Sequence, residues 1–417
     1  MSILIKNVLL DNKRKDILIE ENKITQISDL ISTEAEFKID GSKKVAIPSF
    51  INAHTHAAMT LMRGYADDMV LQEWLERKIW PLESKLTEEH IYHGSKLACL
   101  EMIKSGTTFF NDMYWHYHGT ARAVEEMGIR AAISAVFIDL FDSSKAKEQI
   151  KLNKKLFEET KRYSDRITFT LGPHAIYTVS EESLHWVKEF ADKNNCLIHI
   201  HLSETKKEVE DSLKKYGKRP AEYLESIGFL SSNVIACHSI WLNDKEIEIL
   251  RRNGVKVVHN PTSNMKLCSG VLPYYKMKRA GIIIALGTDG CASNNNLDMF
   301  EEMKFASLLQ KISNSSPTIM PAAEAFELAT INGARTFGLE CGKIEEGKLA
   351  DLLLLDLNNI GLNPNHNLIS NIVYSCNGSC VDTVICDGKL LMQNRRVESE
   401  EEILEKAKKT IEELTNS

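Results

Sequence analysis

Eight short apolar segments recur between positions 46 and 287, and longer segments with helical patterning separate them. Each segment is almost continuously apolar rather than alternating, as expected for strands of a parallel sheet that is covered on both faces. Eight strand–helix units of this kind predict an α/β fold built on a (β/α)₈ TIM-like barrel. The predicted strands span residues 46–52, 107–111, 130–137, 167–172, 197–201, 234–238, 256–259 and 282–287.

The two ends of the chain predict a second, smaller unit. Short strands are expected at residues 16–20 and 23–27, and again at 350–356, 382–386 and 389–392, where Asp387-Gly388 is a favourable hairpin turn. We therefore expect a small β-sandwich domain built from both termini, comprising residues 1–48 and 342–417, beside a catalytic barrel of residues 49–341. Residues 399–414 form a charged amphipathic pattern that predicts a capping helix with a solvated face.

Composition excludes several classes of partner. The net charge of -7 leaves no basic surface for nucleic acid or an anionic membrane. The N-terminus lacks a secretory pattern, and no window approaches the roughly 20 apolar residues of a membrane span. The nine cysteines are scattered without a Cys-x-x-Cys pair, so we expect a reduced, cytoplasmic protein.

Metal-ligand residues follow the predicted strands, at the barrel face where active sites lie. Alternate residues of a strand share a face, so His54 and His56 project together. A catalytic zinc ion keeps three or four protein ligands and an open position. We predict one divalent ion per subunit, held by His54, His56, His201 and Asp289. Zinc is the first choice, but iron(II) and manganese suit the same ligands.

Three side chains are placed to move protons or stabilise charge near that ion. Glu204 follows His201 by three residues, and a shielded carboxyl there can hold a proton for the substrate. His238 can polarise the water or stabilise the attacked carbon, and Asp289 can accept the water proton. Residues 168–172 contain no lysine that could be carboxylated to bridge two ions, which favours one metal and attack at a trigonal ring carbon.

With these residues laid out, the chain resembles the amidohydrolase superfamily over essentially its whole length. More narrowly, it is similar to the 5-methylthioadenosine/S-adenosylhomocysteine deaminases, a group that includes the 5'-deoxyadenosine deaminases. The His-x-His pair and the last-strand aspartate mark the superfamily, and the segment with Met59-Thr60 and Trp74…Glu83 narrows it to this branch. The matching stretches are residues 52–60, 63–64, 73–75, 81–83, 172–174, 201–205, 259–261, 263–267, 287–290 and 293–295.

The resemblance implies a hydrolase acting on carbon–nitrogen bonds, which deaminates 5'-deoxyadenosine and 5'-methylthioadenosine to the inosine derivative and ammonia, with S-adenosylhomocysteine and adenosine as further candidate substrates. It implies that Glu204 protonates the purine nitrogen beside the amino-bearing carbon. It also implies that Glu83 binds the ribose hydroxyls, that Trp74 packs near the ribose or its 5' group, and that His174 contacts the base or ribose. The resemblance also implies a role in nucleoside salvage from S-adenosylmethionine by-products and a homo-oligomeric state.

The sequence departs from relatives that accept S-adenosylhomocysteine, which use arginines near the end of the third strand. Residues 133–141 contain none, and Phe137 or Phe141 would favour a small uncharged 5' group. An unpaired carboxylate in a partly buried pocket is costly. Arg63, or an arginine of a neighbouring subunit, remains an alternative source of charge.

Two other functions stay open from the residues alone. A guanine- or cytosine-type deaminase or a triazine chlorohydrolase would use the same ligands, although neither needs a group to hold ribose. A metal-free structural or assembly module is the least favoured alternative, because every predicted ligand and proton-transfer position is filled.

Overall fold

Strands and helices alternate through most of the chain in a computed structural model that describes residues 1–416. The strands, in chain order, are β1 (Ser2–Leu10), β2 (Lys13–Glu20), β3 (Lys23–Ser28), β4 (Phe37–Asp40), β5 (Lys44–Pro48), β6 (Phe50–Thr55), β7 (Thr107–Tyr114), β8 (Arg130–Phe137), β9 (Ile167–Phe169), β10 (Gly172–Pro173), β11 (Ile198–Leu202), β12 (Val234–His238), β13 (Lys256–His259), β14 (Ile284–Leu286), β15 (Leu352–Asp356), β16 (Val381–Cys386) and β17 (Lys389–Met392).

The α-helices are α1 (Leu71–Trp74), α2 (Trp80–Glu83), α3 (Glu88–Lys104), α4 (Tyr117–Met127), α5 (Ser143–Thr160), α6 (Glu181–Asn194), α7 (Lys206–Tyr216), α8 (Pro220–Ser226), α9 (Asp244–Arg252), α10 (Pro261–Lys266), α11 (Tyr274–Ala280), α12 (Met299–Ser313), α13 (Ala322–Ala329), α14 (Ile331–Phe337), α15 (Leu368–Tyr374) and α16 (Glu400–Asn416). A π-helical turn over Leu75–Ile79 joins α1 to α2, and 3₁₀ turns span Ala57–Met62, Ile360–Leu362 and Gly378–Cys380.

The barrel wall consists of parallel strands β6 to β14. β6, β7 and β8 pair in sequence, β9 and β10 both pair with β8 and share the fourth position, and β11 to β14 pair in sequence. A parallel bridge between Leu171 and Ile198 joins the two halves on one side. On the other side, the Asp289 backbone N–H donates to the His54 carbonyl at 3.0 Å. The (β/α)₈ barrel expected from the sequence is confirmed.

The predicted first strand, residues 46–52, is wrong because it merges two strands of different sheets. β5 pairs antiparallel with β15, whereas β6 pairs parallel with β7, and the chain passes between the sheets at Ser49. Both segments are buried and apolar, so their composition does not separate them. Similarly, the predicted fourth strand is divided, and β1 is absent from the predicted set although it lies inside the second sheet.

The strands from the two termini form one eight-stranded sheet in the order β17-β16-β15-β5-β1-β2-β3, with β4 beside β1. The first half of β1 pairs with β4 and its end meets β5, so the sheet changes partners along this strand. Its apolar side chains enclose a separate core of β1, β2, β15 and β16 residues. A β domain built from both ends is therefore present. The division after residues 48 and 341 stays a prediction, and Ser417 lies outside the described residues.

The C-terminal helix α16 packs on the barrel helix α3. Ile403, Ala407 and Leu414 are buried along its apolar face, while its glutamates and lysines face solvent. Within residues 1–416, none of the helices combines the length and the apolar character that a membrane crossing requires.

The buried carboxyl of Glu302 is expected to make the free energy of unfolding depend on pH. Its carboxylate is buried on α12 and accepts hydrogen bonds from Asn294 Nδ2 at 2.6 Å and from the Thr262 N–H at 3.3 Å. Burial raises its pKa from 4.5 to about 8, against the lowering effect of these bonds. The folded protein therefore holds this proton more tightly than the unfolded chain does. Its contribution to stability is complete below pH 4.5 and is lost as the pH rises through about 8.

We expect Glu302→Gln, which stays neutral, to lose less stability than the parent protein between pH 6 and pH 9. Urea unfolding at both pH values measures this difference. An unchanged pH dependence in Glu302→Gln would show that Glu302 does not bind the additional proton.

Candidate active site

The residues predicted as metal ligands converge at the C-terminal end of the barrel. His54 is the last residue but one of β6 and His56 directly follows the strand, His201 lies near the end of β11, and Asp289 follows β14. The ligand atoms of His54, His56 and His201 all lie within 4.8 Å of one another. Asp289 Oδ1 lies 3.3 Å from His54 Nε2 and 3.2 Å from His56 Nε2. Three strands thus deliver three imidazole nitrogens and one carboxylate oxygen to one point.

These separations fit a bound cation. Two ligands that bind a tetrahedral zinc ion at about 2.0–2.1 Å lie about 3.4 Å apart. The two distances to Asp289 Oδ1 match that edge. The nitrogen and carboxylate donors, all turned inward and largely buried, suit zinc, iron(II) or manganese. The donor set therefore fits one divalent ion.

The opposite ring nitrogen of each histidine is held from behind, which fixes which nitrogen faces the centre. His56 Nδ1 donates to the Met113 carbonyl at 2.6 Å, and His201 Nδ1 donates to the His174 carbonyl at 2.9 Å. Their Nε2 atoms therefore face the centre. His54 differs, because its Nδ1 lies 2.7 Å from another side chain, His199 Nε2.

The pKa values of the three imidazoles are shifted in different directions. Burial lowers the pKa of His54 to about 4 and the pKa of His201 well below its usual value, so both are neutral. Burial also opposes the charge on His56, but the hydrogen bond and negative charge of Asp289 raise its pKa to about 9. A proton and a metal cation would therefore compete for the position between His56 and Asp289.

Asp289 is held rigidly and in its charged form. Its Oδ2 accepts hydrogen bonds from Ser263 Oγ at 2.7 Å and from Ser293 Oγ at 3.0 Å. Its own backbone has a left-handed φ of 63°, an uncommon conformation that the surrounding contacts stabilise. Although burial opposes ionisation, the contacts with His54 and His56 hold the pKa of Asp289 well below its ordinary range.

Glu204 and His238 lie next to each other beside the cluster of candidate metal ligands. His238 Nε2 is 3.9 Å from Glu204 Oε2, and His238 Nδ1 donates to Asn264 Oδ1 at 2.9 Å. Both side chains are buried. Burial raises the pKa of Glu204, so that this carboxyl is a better proton carrier near neutrality than an exposed glutamate.

A second glutamate, which the sequence reasoning missed, holds the Glu204 turn. Glu208 lies in the first turn of α7, and its two oxygens accept the backbone N–H groups of Ser203 and Glu204, each at 2.8 Å. Ser203 has a left-handed φ of 49°, so the turn is strained without this pair of bonds. The Glu-Thr-x-x-Glu spacing of a helix N-terminus is the signal that could have identified it.

We expect Glu208→Gln to lower kcat/KM by about 10-fold, because the amide turns one N–H donor toward a backbone N–H and loosens the turn that carries Glu204. Steady-state kinetics measure this effect, and Glu210→Gln on the exposed side of α7 is the control. Equal rates for both variants would show that Glu208 does not position Glu204.

A cleft that is partly open to solvent lies above these residues. His56, His201, His238, Asp289 and Glu204 line its polar floor. Its upper wall is apolar and contains Trp74, Ile79, Trp80, Val136, Ile138 and Leu267.

The predicted substrate contacts also lie on this cleft. Glu83 is bonded by Tyr114 Oη at 2.8 Å, and burial raises its pKa above the ordinary value. The Trp74 indole N–H is already donated to the Ala66 carbonyl at 2.9 Å, so its ring serves as an apolar wall. His174 lines the cleft with its Nδ1 2.9 Å from Thr178 Oγ1.

The prediction that Phe137 or Phe141 lines the pocket for the 5' group is wrong. Phe137 is buried against the Trp186 ring of α6, and Phe141 lies outside the cleft with 45% of its surface exposed and Lys215 Nζ over its ring. Strand alternation instead turns Val136 and Ile138 to the cleft. Arg63 also lies away from the cleft, because it pairs with Glu101 and the Asn295 carbonyl. Among the cleft residues that the structure describes there is no arginine or lysine.

Comparison with known proteins agrees with this architecture. Residues 45–391 match the model of the amidohydrolase family. The chain is 50% identical over 406 residues, 96% of each protein, to the Archaeoglobus fulgidus 5-methylthioadenosine/S-adenosylhomocysteine deaminase 1. It is 48% identical over 426 residues to the Methanobrevibacter smithii 5'-deoxyadenosine deaminase, covering 99% of this chain and 98% of the relative.

A solved structure extends the comparison. An adenosine deaminase from Xanthomonas campestris, crystallised with bound zinc, superposes with a TM-score of 0.94 at 32% sequence identity. The match covers 100% of this chain and 98% of that protein. The barrel, the convergence of ligand residues at its C-terminal end and the near full-length identity lead to one conclusion: the chain belongs to the amidohydrolase family.

Proposed function

We propose that this protein is a divalent-metal-dependent hydrolase that deaminates 5'-modified adenosines to the inosine derivative and ammonia. The observation that carries the proposal is one cleft with the imidazoles of His56, His201 and His238 and two carboxylates on its floor, and with a partly buried carboxylate, that of Glu83, on its side. Two relatives with 50% and 48% sequence identity are named as deaminases of such nucleosides, which supports the same reaction. Zinc is the ion we propose, as in the Xanthomonas campestris relative.

His54, His56, His201 and Asp289 would hold the ion. When bound, such an ion supplies Lewis-acid activation of a water molecule at neutral pH. Asp289 accepts a proton from the attacking water and passes it to the departing amine. Its low pKa keeps it ionised at the start of the reaction.

Glu204 supplies the acid. Its raised pKa lets it carry a proton to the purine nitrogen beside the amino-bearing carbon, which makes that carbon electrophilic. His238, held by Asn264, points Nε2 toward the same side and stabilises the charge that develops on the attacked carbon. Together the two residues act on the base, while Asp289 acts on the water.

Glu83 distinguishes a nucleoside from a free base. One of its oxygens accepts the Tyr114 hydroxyl, and the carboxylate retains acceptor capacity for two vicinal ribose hydroxyls. A site built to receive these donors discriminates against a substrate that lacks them. A guanine- or cytosine-type substrate would leave Glu83 unpaired.

We expect Glu83→Gln to reduce the preference for adenosine over 2',3'-dideoxyadenosine by about 10-fold, because an amide is a weaker acceptor than a carboxylate. The ratio of kcat/KM for the two nucleosides in each protein measures this preference. Glu76→Gln, in the π-helical turn of the same segment, is the control. An unchanged ratio in Glu83→Gln would remove Glu83 from the ribose site.

The 5' group should be small and uncharged. Val136, Ile138 and Trp74 offer no partner for an amino-acid carboxylate, and leaving that charge unpaired costs about 1–3 kcal/mol or more. We therefore expect 5'-deoxyadenosine and 5'-methylthioadenosine to exceed S-adenosylhomocysteine in kcat/KM by at least about 10-fold.

Loss of adenosine absorbance, together with ammonia release, tests the function across these three nucleosides, adenosine, guanine and cytosine. A preference for S-adenosylhomocysteine would overturn the 5' selectivity, and ammonia release from the free bases alone would overturn the nucleoside assignment. Sub-stoichiometric zinc in an inactive protein would favour a structural module. The salvage role, the cytoplasmic compartment and the homo-oligomer stay predictions.

A further inference from the structure

A buried chain of three polar side chains runs down from the ligand His54 into the barrel. His54 Nδ1 lies 2.7 Å from His199 Nε2. His199 Nε2 in turn lies 3.1 Å from Cys237 Sγ. All three side chains are fully buried. His199 and Cys237 belong to β11 and β12, whose side chains meet beneath the ligand site.

Two imidazoles and a thiol also suit a soft metal ion, so the distances must decide between a second metal site and a hydrogen-bonded chain. Two nitrogen ligands of one zinc ion lie about 3.4 Å apart, and a nitrogen and a sulfur ligand about 3.6 Å apart. The observed separations of 2.7 and 3.1 Å are shorter than both values. The chain is therefore hydrogen-bonded.

The direction of the first hydrogen bond follows from ligation. A neutral imidazole carries one proton, and a metal ligand must present an unprotonated nitrogen. If His54 binds the ion through Nε2, its proton is on Nδ1 and is donated to His199. His199 Nε2 must then be unprotonated, and the Cys237 thiol is a second donor aimed at that nitrogen.

His54 is thus held differently from the other two imidazole ligands. Backbone carbonyls, which no substitution of their own residue removes, hold His56 and His201. His54 depends on a side chain. The inference rests on the metal site proposed above: we propose that His199 is a positioning residue. Its Nε2 accepts a hydrogen bond from the His54 Nδ1–H and so keeps His54 Nε2 turned toward the metal ion.

The test is zinc affinity, measured by chelator competition on the purified full-length protein. We expect His199→Met, which removes the acceptor at similar volume, to weaken zinc binding about 10–100-fold. His199→Gln, whose Oε1 replaces Nε2 as acceptor, should stay within about 3-fold of the parent. His259→Met is the matched control, because His259 is equally buried and, within residues 1–416, neither of its ring nitrogens has a hydrogen-bond partner.

The outcomes separate the two proposals. A parent protein that does not bind zinc would refute the metal site itself. A parent that binds zinc while His199→Met binds it equally well would overturn the role of His199 alone. Equal losses in His199→Met and His199→Gln would also overturn it, because packing rather than the acceptor would then be responsible. Should His199→Met fail to fold, His199→Asn, whose shorter amide leaves the Nε2 position unfilled, takes its place.

Discussion

Glu204→Gln is expected to lower kcat/KM for 5'-methylthioadenosine by about 10³-fold, within the range of about 10²–10⁴ for a general acid, and to leave zinc content unchanged. The substitution keeps the size of the side chain and its place beside His238. It removes the proton that Glu204 carries, which its raised pKa makes available near neutrality. Because Glu204 is not among the four predicted ligands, the metal should stay bound.

Steady-state rates over a pH series, together with metal analysis, measure this prediction. Glu210→Gln, an exposed glutamate on α7, controls for the loss of a negative charge. The pH profile of the parent should lose its alkaline limb in Glu204→Gln, since that limb reports the acid. Activity within 10-fold of the parent would exclude Glu204 as the proton donor.

Asp289→Asn should have the largest effect, a loss of about 10⁴-fold or more in kcat/KM accompanied by weakened zinc binding. The carboxylate is both a predicted ligand and the predicted acceptor of the water proton, and an amide performs neither role well. Asparagine also loses the charge that raises the pKa of His56 to about 9. Loss of both functions distinguishes this variant from Glu204→Gln.

Zinc stoichiometry and steady-state rates, the latter also with excess zinc, measure the two parts separately. Asp244→Asn, an exposed aspartate at the start of α9, is the matched control. If added zinc restored the parent rate, ligation would be the only role of Asp289. Full zinc occupancy with unchanged activity would refute both roles.

Much of the barrel and of the candidate site could be predicted because the necessary information is local. Alternation along a strand places His54 and His56 on one face, whatever surrounds them. The ends of parallel strands meet at one face of a barrel, so His201 and Asp289 could be expected to join them. Local apolar runs do not reveal which sheet they enter, which is why residues 46–52 seemed to be one strand.

The 5' wall illustrates what local patterns do not contain. Phe137 and Phe141 seemed suitable by their position after the third strand, but one side chain enters the core and the other leaves the cleft. Alternate residues of a strand face opposite sides, so a shift of one residue in the register of the strand would exchange the two sets. In the structure, Val136 and Ile138 are the residues that face the cleft. The sequence contains this choice only through the register of the whole sheet.

By itself, the sequence determined the barrel, and it predicted the candidate ligand residues and the chemistry, because side-chain type and strand period are properties of short segments. Only the tertiary structure decided that His199 and Cys237 lie beneath His54. These contacts join residues of β6, β11 and β12. They depend on the stagger of strands around the barrel, which is set by the packing of all eight strands together.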